Sequence, residues 1–270
     1  MELKQYIQKF KLYLFDMDGT LYLGDRLYDF TIELLDTIRE TGGIYLFMTN
    51  NSSKSVNDYV KKLKKLGVEA TRDDFMTSSQ ATAYYLHKHH EGKKLYVCGT
   101  ESLKEELRVE CFSVTTNLKE VECIVMGFDT ELTFQKLYDV SYLLQTQPDI
   151  PYIATNPDFV CPTEFGSVPD CGSVCIGIKN ATGKEPAVIG KPSPLMPQLA
   201  MDKLGIAKDE ACVVGDRIYT DIKSALNAGI AGILVLSGET TVEVLNESPD
   251  KPNLVLQDAG EILSALKARE

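Results

Sequence analysis

A short apolar run that ends in two carboxylates constrains the fold of this chain more than any other feature. Leu12–Phe15 has the uninterrupted apolar character of a strand buried on both faces. Asp16 and Asp18 follow it, and Gly19 lets the chain turn away sharply. Ligand sites of open α/β sheets lie just outside the carboxyl ends of their strands. The run therefore predicts a parallel strand with a site at its end.

The rest of the chain alternates apolar runs with amphipathic segments. Further strands are predicted at 44–48, 95–98, 123–126, 152–154, 187–190, 211–214, 233–236 and 253–256. Helices are predicted at 29–41, 54–66, 79–89, 102–108, 134–145, 194–204, 222–228 and 259–268. One more apolar run, at 173–178, leads into a polar turn at 180–184. This alternation is typical of parallel sheets with right-handed crossovers.

The middle of the chain differs from its two ends because none of its apolar runs finishes in paired acids. A chain of 270 residues is long enough for two domains. We therefore expect an α/β core formed by residues 1–80 and 184–270, interrupted by an inserted α/β unit at 81–183.

The charge and hydropathy of the chain argue against some classes of binding partner. The formal net charge of −11 argues against a nucleic acid polymer or an anionic membrane as a partner. No apolar stretch reaches the roughly 18 residues that would span a bilayer. The first residues lack the apolar segment of a signal peptide. These features predict a cytoplasmic protein.

Polar side chains follow four of the predicted strands. They are the acids Asp16 and Asp18, the hydroxyl of Thr49, the amine of Lys191, and the acids Asp216 and Asp221. If these strands are parallel neighbours, the polar groups gather at one edge of the sheet. Close carboxylates repel one another unless a cation or a proton lies between them. Oxygen ligands of this kind suit Mg²⁺.

Such a cluster suits phosphoryl transfer. A carboxylate can attack phosphorus and form an aspartyl-phosphate, which divides a difficult displacement into two easier ones. A second carboxylate can protonate the leaving alkoxide and later activate water. A Thr hydroxyl, a Lys ammonium and Mg²⁺ can each stabilise the charge on the phosphoryl oxygens.

The same residues resemble the motifs of the haloacid dehalogenase (HAD) superfamily. The motifs are DMDGT at 16–20, the strand that ends at Thr49, Lys191 with its following proline, and GDRIYTD at 215–221. The runs ATNPD at 154–158, GKPSP at 190–194 and ILVLSGET at 233–240 resemble the NagD-like, or p-nitrophenylphosphatase-like, subfamily. This resemblance covers nearly the whole chain. It implies a Rossmann-like core with an inserted C2-type cap, and a homodimer formed through the cap.

The resemblance also implies roles for individual residues. Asp16 is the expected nucleophile and Asp18 the general acid and base. Asp16, the carbonyl of Asp18 and Asp216 are expected to bind Mg²⁺. Asp221 is either a direct ligand or a residue that orients the others, and it also fits a cap of the helix that begins near 222. The expected phosphate and substrate contacts are Thr49, Asn50, Asn51, Lys191, Asn156 and Asp158, the last two from the cap.

The expected activity is Mg²⁺-dependent hydrolysis of small phosphomonoesters, either nucleoside monophosphates or sugar phosphates. Pyridoxal phosphate and phosphoglycolate are alternative substrates within the same family. Cys161 stands where pyridoxal phosphate phosphatases carry a histidine, which argues against that substrate. Two other classes remain: a phospho-accepting signalling module, which also combines acids, a hydroxyl and a lysine, and a catalytically idle scaffold.

Overall fold

The computed structural model describes residues 2–163 and 165–268, which divide into two compact units. The core unit comprises the described residues of 1–49, 60–76 and 191–270. The inserted unit comprises residues 50–59 and 77–190. Within the described residues, no helix combines the length and the apolar character that a membrane crossing requires.

The core unit is organised around a sheet whose strands are short and largely buried. Across the sheet, the described strands follow the order Leu254–Leu256, Ala231–Val235, Ala211–Gly215, Leu12–Phe15, Ile44–Thr49 and Phe75–Thr77. The first five of these run parallel to one another. Every residue of Leu12–Phe15 is buried, as expected for a strand at the centre of an α/β sheet.

Helices connect these strands. The α-helices with residues in the core unit are Leu3–Gln8, Thr31–Glu40, Val56–Lys65, Leu195–Leu204, Lys223–Ala228, Val242–Glu247 and Gly260–Lys267. Single helical turns occur at Arg72–Asp74, Lys208–Glu210 and Ile218–Ile222. A small hairpin pairs Tyr22–Leu23 with Arg26–Leu27 directly after the first strand.

The strand order creates a switch point beside the first strand. Leu12–Phe15 pairs with Ile44–Thr49 on one side and with Ala211–Gly215 on the other. The register sets Phe15 opposite both Phe47 and Val214, so the residues that follow these strands meet at one edge. Crevices at such points are where open α/β sheets bind ligands. The fold thus positions Asp16 beside the loop that follows Ala211–Gly215.

The inserted unit has its own parallel sheet. Its described strands follow the order Ala187–Val188, Tyr152–Ala154, Cys123–Met126 and Leu95–Cys98. Its helices are Ser78–His89, Glu101–Val109, Phe134–Thr146 and Cys171–Thr182, and a hairpin pairs Val160–Thr163 with Gly166–Pro169. An apolar core that includes Tyr96, Ile124 and Leu143 lies on one face of the sheet. The predicted fold class, a parallel α/β core with an inserted α/β cap domain, is confirmed.

The sheet predicted for one strand is corrected. The run at 187–190 was expected to be a core strand, but Ala187 and Val188 pair with Ile153 and Ala154 in the inserted unit. A short apolar run indicates a strand without specifying the sheet that it joins. Residues 50–59, 77–80 and 184–190 group with the inserted unit in the structure, while the boundaries 81–183 predicted for the inserted domain stay a prediction.

The apolar run at 173–178 is helical, and so is the first part of the polar turn expected at 180–184. Both lie in the helix Cys171–Thr182, which Asp170 caps at its start and Gly183, in a left-handed conformation, ends. Short apolar runs do not distinguish a buried strand from a buried helix by periodicity.

Candidate active site

Three carboxylates meet where the two central strands end. Asp16, Asp216 and Asp221 each offer a ligand oxygen, and these oxygens lie within 4.8 Å of one another. Asp16 follows Leu12–Phe15, and its amide donates to the carbonyl of Val214 at 2.8 Å. Asp216 follows Ala211–Gly215, while Asp221 lies in the helical turn Ile218–Ile222. The convergence of Asp16 and Asp216 that the sequence predicts is therefore present.

Lys191 neutralises part of this cluster. Its buried Nζ donates to Oδ1 of Asp16 at 2.6 Å, to Oδ1 of Asp221 at 2.6 Å and to the carbonyl of Met48 at 3.2 Å. Burial alone would lower the pKa of the lysine. The charges and hydrogen bonds of the two aspartates outweigh it and raise this pKa well above its usual range. The site therefore holds a permanent cation next to Asp16.

Asp221 is fully engaged within the protein. Its Oδ1 accepts from Lys191, and its Oδ2 accepts from the amide of Arg217 at 3.1 Å. Burial raises the pKa of its carboxyl to about 6, with Lys191 acting in the opposite direction. The cap of the following helix is Ile222, so Asp221 is not the helix cap that the sequence allowed. These contacts orient the Lys191 ammonium, and direct metal ligation by Asp221 stays a prediction.

Asp216 has one oxygen left for a ligand. Its Oδ2 accepts from the amide of Glu239 at 2.7 Å. Its buried Oδ1 has no hydrogen-bond partner among the residues that the structure describes. Burial, followed by the charges of Asp16 and Asp221, raises the pKa of this carboxyl to about 7. A hard divalent cation bound to Oδ1 would satisfy the oxygen and offset the repulsion, so the residues present fit Mg²⁺.

Two glycines enclose the Asp216 carboxylate. Gly19 has φ +83°, and a Cβ built there would lie 2.5 Å from Oδ2 of Asp216. A Cβ at Gly238 would clash with the same oxygen. Only glycine fits at these two positions. The glycine of the DMDGT segment is therefore required both for the turn and for the space that the Asp216 carboxylate occupies.

Asp18 lies outside the acidic cluster. Its side chain is exposed, and its Oδ1 accepts from the amide of Gly24 at 3.2 Å, in the hairpin that follows the first strand. The structure thus places the two acids of the DMDGT segment in different environments. Asp16 is paired with a lysine, whereas Asp18 is open to solvent.

The predicted phosphate-binding residues fall into two groups. Thr49 is the buried last residue of its strand in the core unit, next to the Met48 carbonyl that Lys191 contacts. Asn50 and Asn51 belong to the inserted unit. The Asn51 side chain forms a turn by accepting from the amide of Ser53 at 2.9 Å and from its hydroxyl at 2.7 Å.

Asn156 and Asp158 hold the backbone and side chain of Asn50 within the inserted unit. Nδ2 of Asn156 donates to the carbonyl of Asn50 at 3.0 Å, and its Oδ1 accepts from the amide of Asp158 at 3.0 Å. Nδ2 of Asn50 donates to Oδ2 of Asp158 at 3.0 Å. Asn156 is fully buried and its amide holds these backbone groups, and the leaving-group contact predicted for it stays a prediction. Asp158 is half-buried, and its predicted contact with the leaving group stays a prediction.

The sequence interpretation missed the loop 237–240. The hydroxyl of Ser237 donates to the carbonyl of Gly19 at 2.7 Å, and the amide of Thr240 donates to the carbonyl of Asp216 at 3.2 Å. This loop follows the strand Ala231–Val235, the neighbour of the strand that carries Asp216. A polar, glycine-containing segment at a third strand end was the signal that pointed to it.

Comparison with known proteins identifies the family. A model of the haloacid dehalogenase-like hydrolases matches residues 13–112, and a HAD-hydrolase-like model matches residues 188–262. An acid sugar phosphatase of Staphylococcus aureus is 32% identical over 97% of this chain and 100% of its own length.

Solved structures agree. The 4-nitrophenylphosphatase of Thermotoga maritima has a TM-score of 0.92 and 38% identity, covering 97% of this chain and 99% of that one. The glycerol phosphate phosphatase of Mycobacterium tuberculosis, solved in complex with magnesium, has a TM-score of 0.86 and 28% identity over 97% of this chain and 77% of its own. The chain therefore belongs to the haloacid dehalogenase-like hydrolases, in their NagD-like and p-nitrophenylphosphatase-like branch, which confirms the resemblance found in the sequence.

Proposed function

We propose that this hydrolase is a Mg²⁺-dependent phosphatase of small phosphomonoesters, with Asp16 as its nucleophile. The observation that carries the proposal is the arrangement around Asp16. Lys191 holds one of its oxygens at 2.6 Å, and Asp216 belongs to the same cluster and has an oxygen without a hydrogen-bond partner among the described residues. Relatives named as phosphatases of sugar, nitrophenyl and glycerol esters support this reaction class.

The residues of the core unit divide the reaction into two steps. In the first, a carboxylate oxygen of Asp16 attacks phosphorus, the bond from phosphorus to the ester oxygen breaks, and Asp18 protonates the departing alkoxide. In the second, Asp18 takes a proton from water, which attacks the aspartyl-phosphate and releases inorganic phosphate and Asp16. The exposure of Asp18 suits a group that exchanges protons with both solvent and substrate.

Charge stabilisation comes from groups that the fold fixes beforehand. Lys191 and the hydroxyl of Thr49 are our candidates to bind phosphoryl oxygens, and Asp221 keeps the Lys191 ammonium in place. Asp16, Asp216 and the carbonyl of Asp18 would hold Mg²⁺. The ion, when bound, supplies positive charge that lowers the cost of bringing a phosphate dianion to a carboxylate.

The substrate class is the open part of the proposal. Sugar phosphates and nucleoside monophosphates remain our first candidates, with pyridoxal phosphate and phosphoglycolate as alternatives. We further propose that the inserted unit supplies the leaving-group contacts, with Asp158 as one of them and Asn50 and Asn51 as contributors to phosphate binding. A homodimer formed through the inserted unit and a cytoplasmic location remain predictions.

Phosphate release from p-nitrophenyl phosphate tests the reaction class. We expect turnover that requires Mg²⁺, stops when a chelator is added, and is restored by excess Mg²⁺. A panel of phosphorylated metabolites at saturating Mg²⁺ then ranks the substrates by kcat/KM. Metal-independent turnover would contradict the proposed site.

A further inference from the structure

Glu239 attaches to the metal-site loop at two points, through its backbone and through its side chain. Its amide donates to Oδ2 of Asp216 at 2.7 Å. Its carboxylate accepts from the hydroxyl of Tyr219 at 2.7 Å through Oε1, and its Oε2 lies 2.8 Å from Nε of Arg217. The residues contacted are Asp216 and two of the three residues that follow it. Glu239 therefore connects the loop 237–240 to the segment that carries Asp216 through both its backbone and its side chain.

The backbone contact decides which oxygen of Asp216 is available. The amide of Glu239 occupies Oδ2, and Gly238 and Gly19 close around that same oxygen without space for a Cβ. Oδ1 is left without a hydrogen-bond partner among the described residues, and Asp216 offers one carboxylate oxygen to the acidic cluster. A single oxygen presented in a fixed direction suits Mg²⁺, which demands near-ideal geometry and uses few protein ligands.

The side-chain contacts hold that amide in position. The loop 237–240 contains no helix or strand. Ser237 anchors its start to the carbonyl of Gly19, and within the described residues the amides of Glu239 and Thr240 connect it to Asp216. The ion pair with Arg217 and the hydrogen bond from Tyr219 add two side-chain connections between the same segments. Outer contacts of this kind set the orientation of a metal ligand and its affinity for the ion.

We propose that Glu239 is a positioning residue that sets the affinity of the site for divalent cations by directing Oδ1 of Asp216 toward the ion. The proposal rests on the proposed function, because it assumes the metal site of Asp16 and Asp216. It assigns Glu239 no contact with substrate. Its side chain is 43% exposed and acts through Arg217 and Tyr219.

The test measures metal binding directly, without turnover. Titration of the full chain with Mn²⁺, followed by the paramagnetic resonance of the free ion, gives the Kd for a hard divalent cation. We expect Glu239→Ala to raise this Kd about 10-fold, the lower range for loss of an outer contact. Glu239→Gln can still accept from Tyr219 and should raise the Kd less.

Glu243→Ala is the matched control. It removes the same charge four residues away, from an exposed position whose side-chain contact in the described part of the chain is with Thr241, at the start of its own helix. It reports the effect of removing one carboxylate from the same part of the surface, while Glu239→Gln removes the charge at position 239 itself and keeps an acceptor for Tyr219. We expect Glu243→Ala to bind Mn²⁺ like the wild type. Thermal unfolding in chelator checks that the Glu239 variants remain folded.

Kinetics provide a second readout. In Glu239→Ala, the Mg²⁺ concentration for half-maximal activity should rise about 10-fold, while KM for p-nitrophenyl phosphate at saturating Mg²⁺ stays unchanged. Equal Mn²⁺ affinities of Glu239→Ala and Glu243→Ala, with binding lost in Asp216→Asn, would overturn this inference alone. Equal binding by the wild type and Asp216→Asn would contradict the metal site of the proposed function and overturn the inference with it.

Discussion

The ammonium of Lys191 lies 2.6 Å from Oδ1 of Asp16, although 175 residues separate the two in the chain. Lys191 also contacts Asp221, so one buried cation is shared by two carboxylates. This pairing places a positive charge beside the Asp16 carboxylate and offsets its repulsion by the neighbouring acids. We therefore expect stability and activity to depend on the same side chain.

Replacing that lysine should damage both properties. Lys191→Met removes the cation and leaves two carboxylates facing each other, which we expect to cost about 3 kcal/mol of unfolding free energy. Activity toward p-nitrophenyl phosphate should fall at least about 100-fold, as for the loss of a charge-stabilising donor. Urea unfolding and steady-state kinetics measure the two effects. Lys203→Met is the control, since Lys203 is half-exposed and its ion pair with Asp73 is 3.6 Å long. Equal losses in both variants would contradict the assigned role.

Asp18→Asn should separate substrates by their leaving groups. Nitrophenolate departs with little need of a proton, whereas a sugar alkoxide requires one. We therefore expect kcat/KM for a sugar phosphate to fall much more than kcat/KM for p-nitrophenyl phosphate. Asp25→Asn, an exposed change in the same hairpin, should leave both values unaltered. A uniform loss across leaving groups would argue against Asp18 as the general acid.

The position of the acids follows from local sequence. Leu12–Phe15 is apolar throughout and ends in a turn, so the sequence alone predicts both the strand and the polar residues that follow it. The same is true of Ala211–Gly215, which precedes Asp216. Local sequence does not predict which strands pair with each other. The sequence predicts a strand at Ala187–Val188, but the sheet that this strand joins is decided by the tertiary structure, where it pairs with Ile153 and Ala154.

The sequence also does not predict where a side chain points and which groups it contacts. Asn156 follows a strand in a polar segment, a placement typical of a ligand contact, but its amide is buried against Asn50 and Asp158. The role of Glu239 was hidden for a similar reason. Its partners Arg217 and Tyr219 lie about twenty residues away on another loop, and no local pattern links the two segments.

The buried amide of Asn156 predicts a stability effect. Asn156→Ala removes a donor to the carbonyl of Asn50 and an acceptor for the amide of Asp158, which should cost about 2 kcal/mol. Asn117→Ala, at an exposed position of the same unit, should cost under about 0.5 kcal/mol. Urea unfolding compares the two. Indistinguishable midpoints would show that the Asn156 contacts contribute nothing to stability.

The stabilisation of the folded protein by Mg²⁺ should increase with pH. The pKa of Asp216 is raised from its ordinary 3.8 to about 7, so between these values the folded protein keeps a proton that the unfolded chain has lost. Metal-free protein therefore loses this contribution to stability as pH rises toward 7. Mg²⁺ competes with the same proton, so the rise in Tm on adding Mg²⁺ should grow from about pH 5 to about pH 8. Differential scanning fluorimetry measures it, and Asp216→Asn should abolish the increase.

Direct capture of the phosphoryl-enzyme tests the central assignment. Rapid mixing of Asp18→Asn protein with substrate and Mg²⁺, followed by acid quench, proteolysis and mass spectrometry, reports where phosphate is attached. We predict a phosphoryl group on Asp16, accumulating because the variant lacks the base that activates water, and no such adduct in Asp16→Asn. Turnover by Asp16→Asn at the wild-type rate, or an adduct on another residue, would contradict the account.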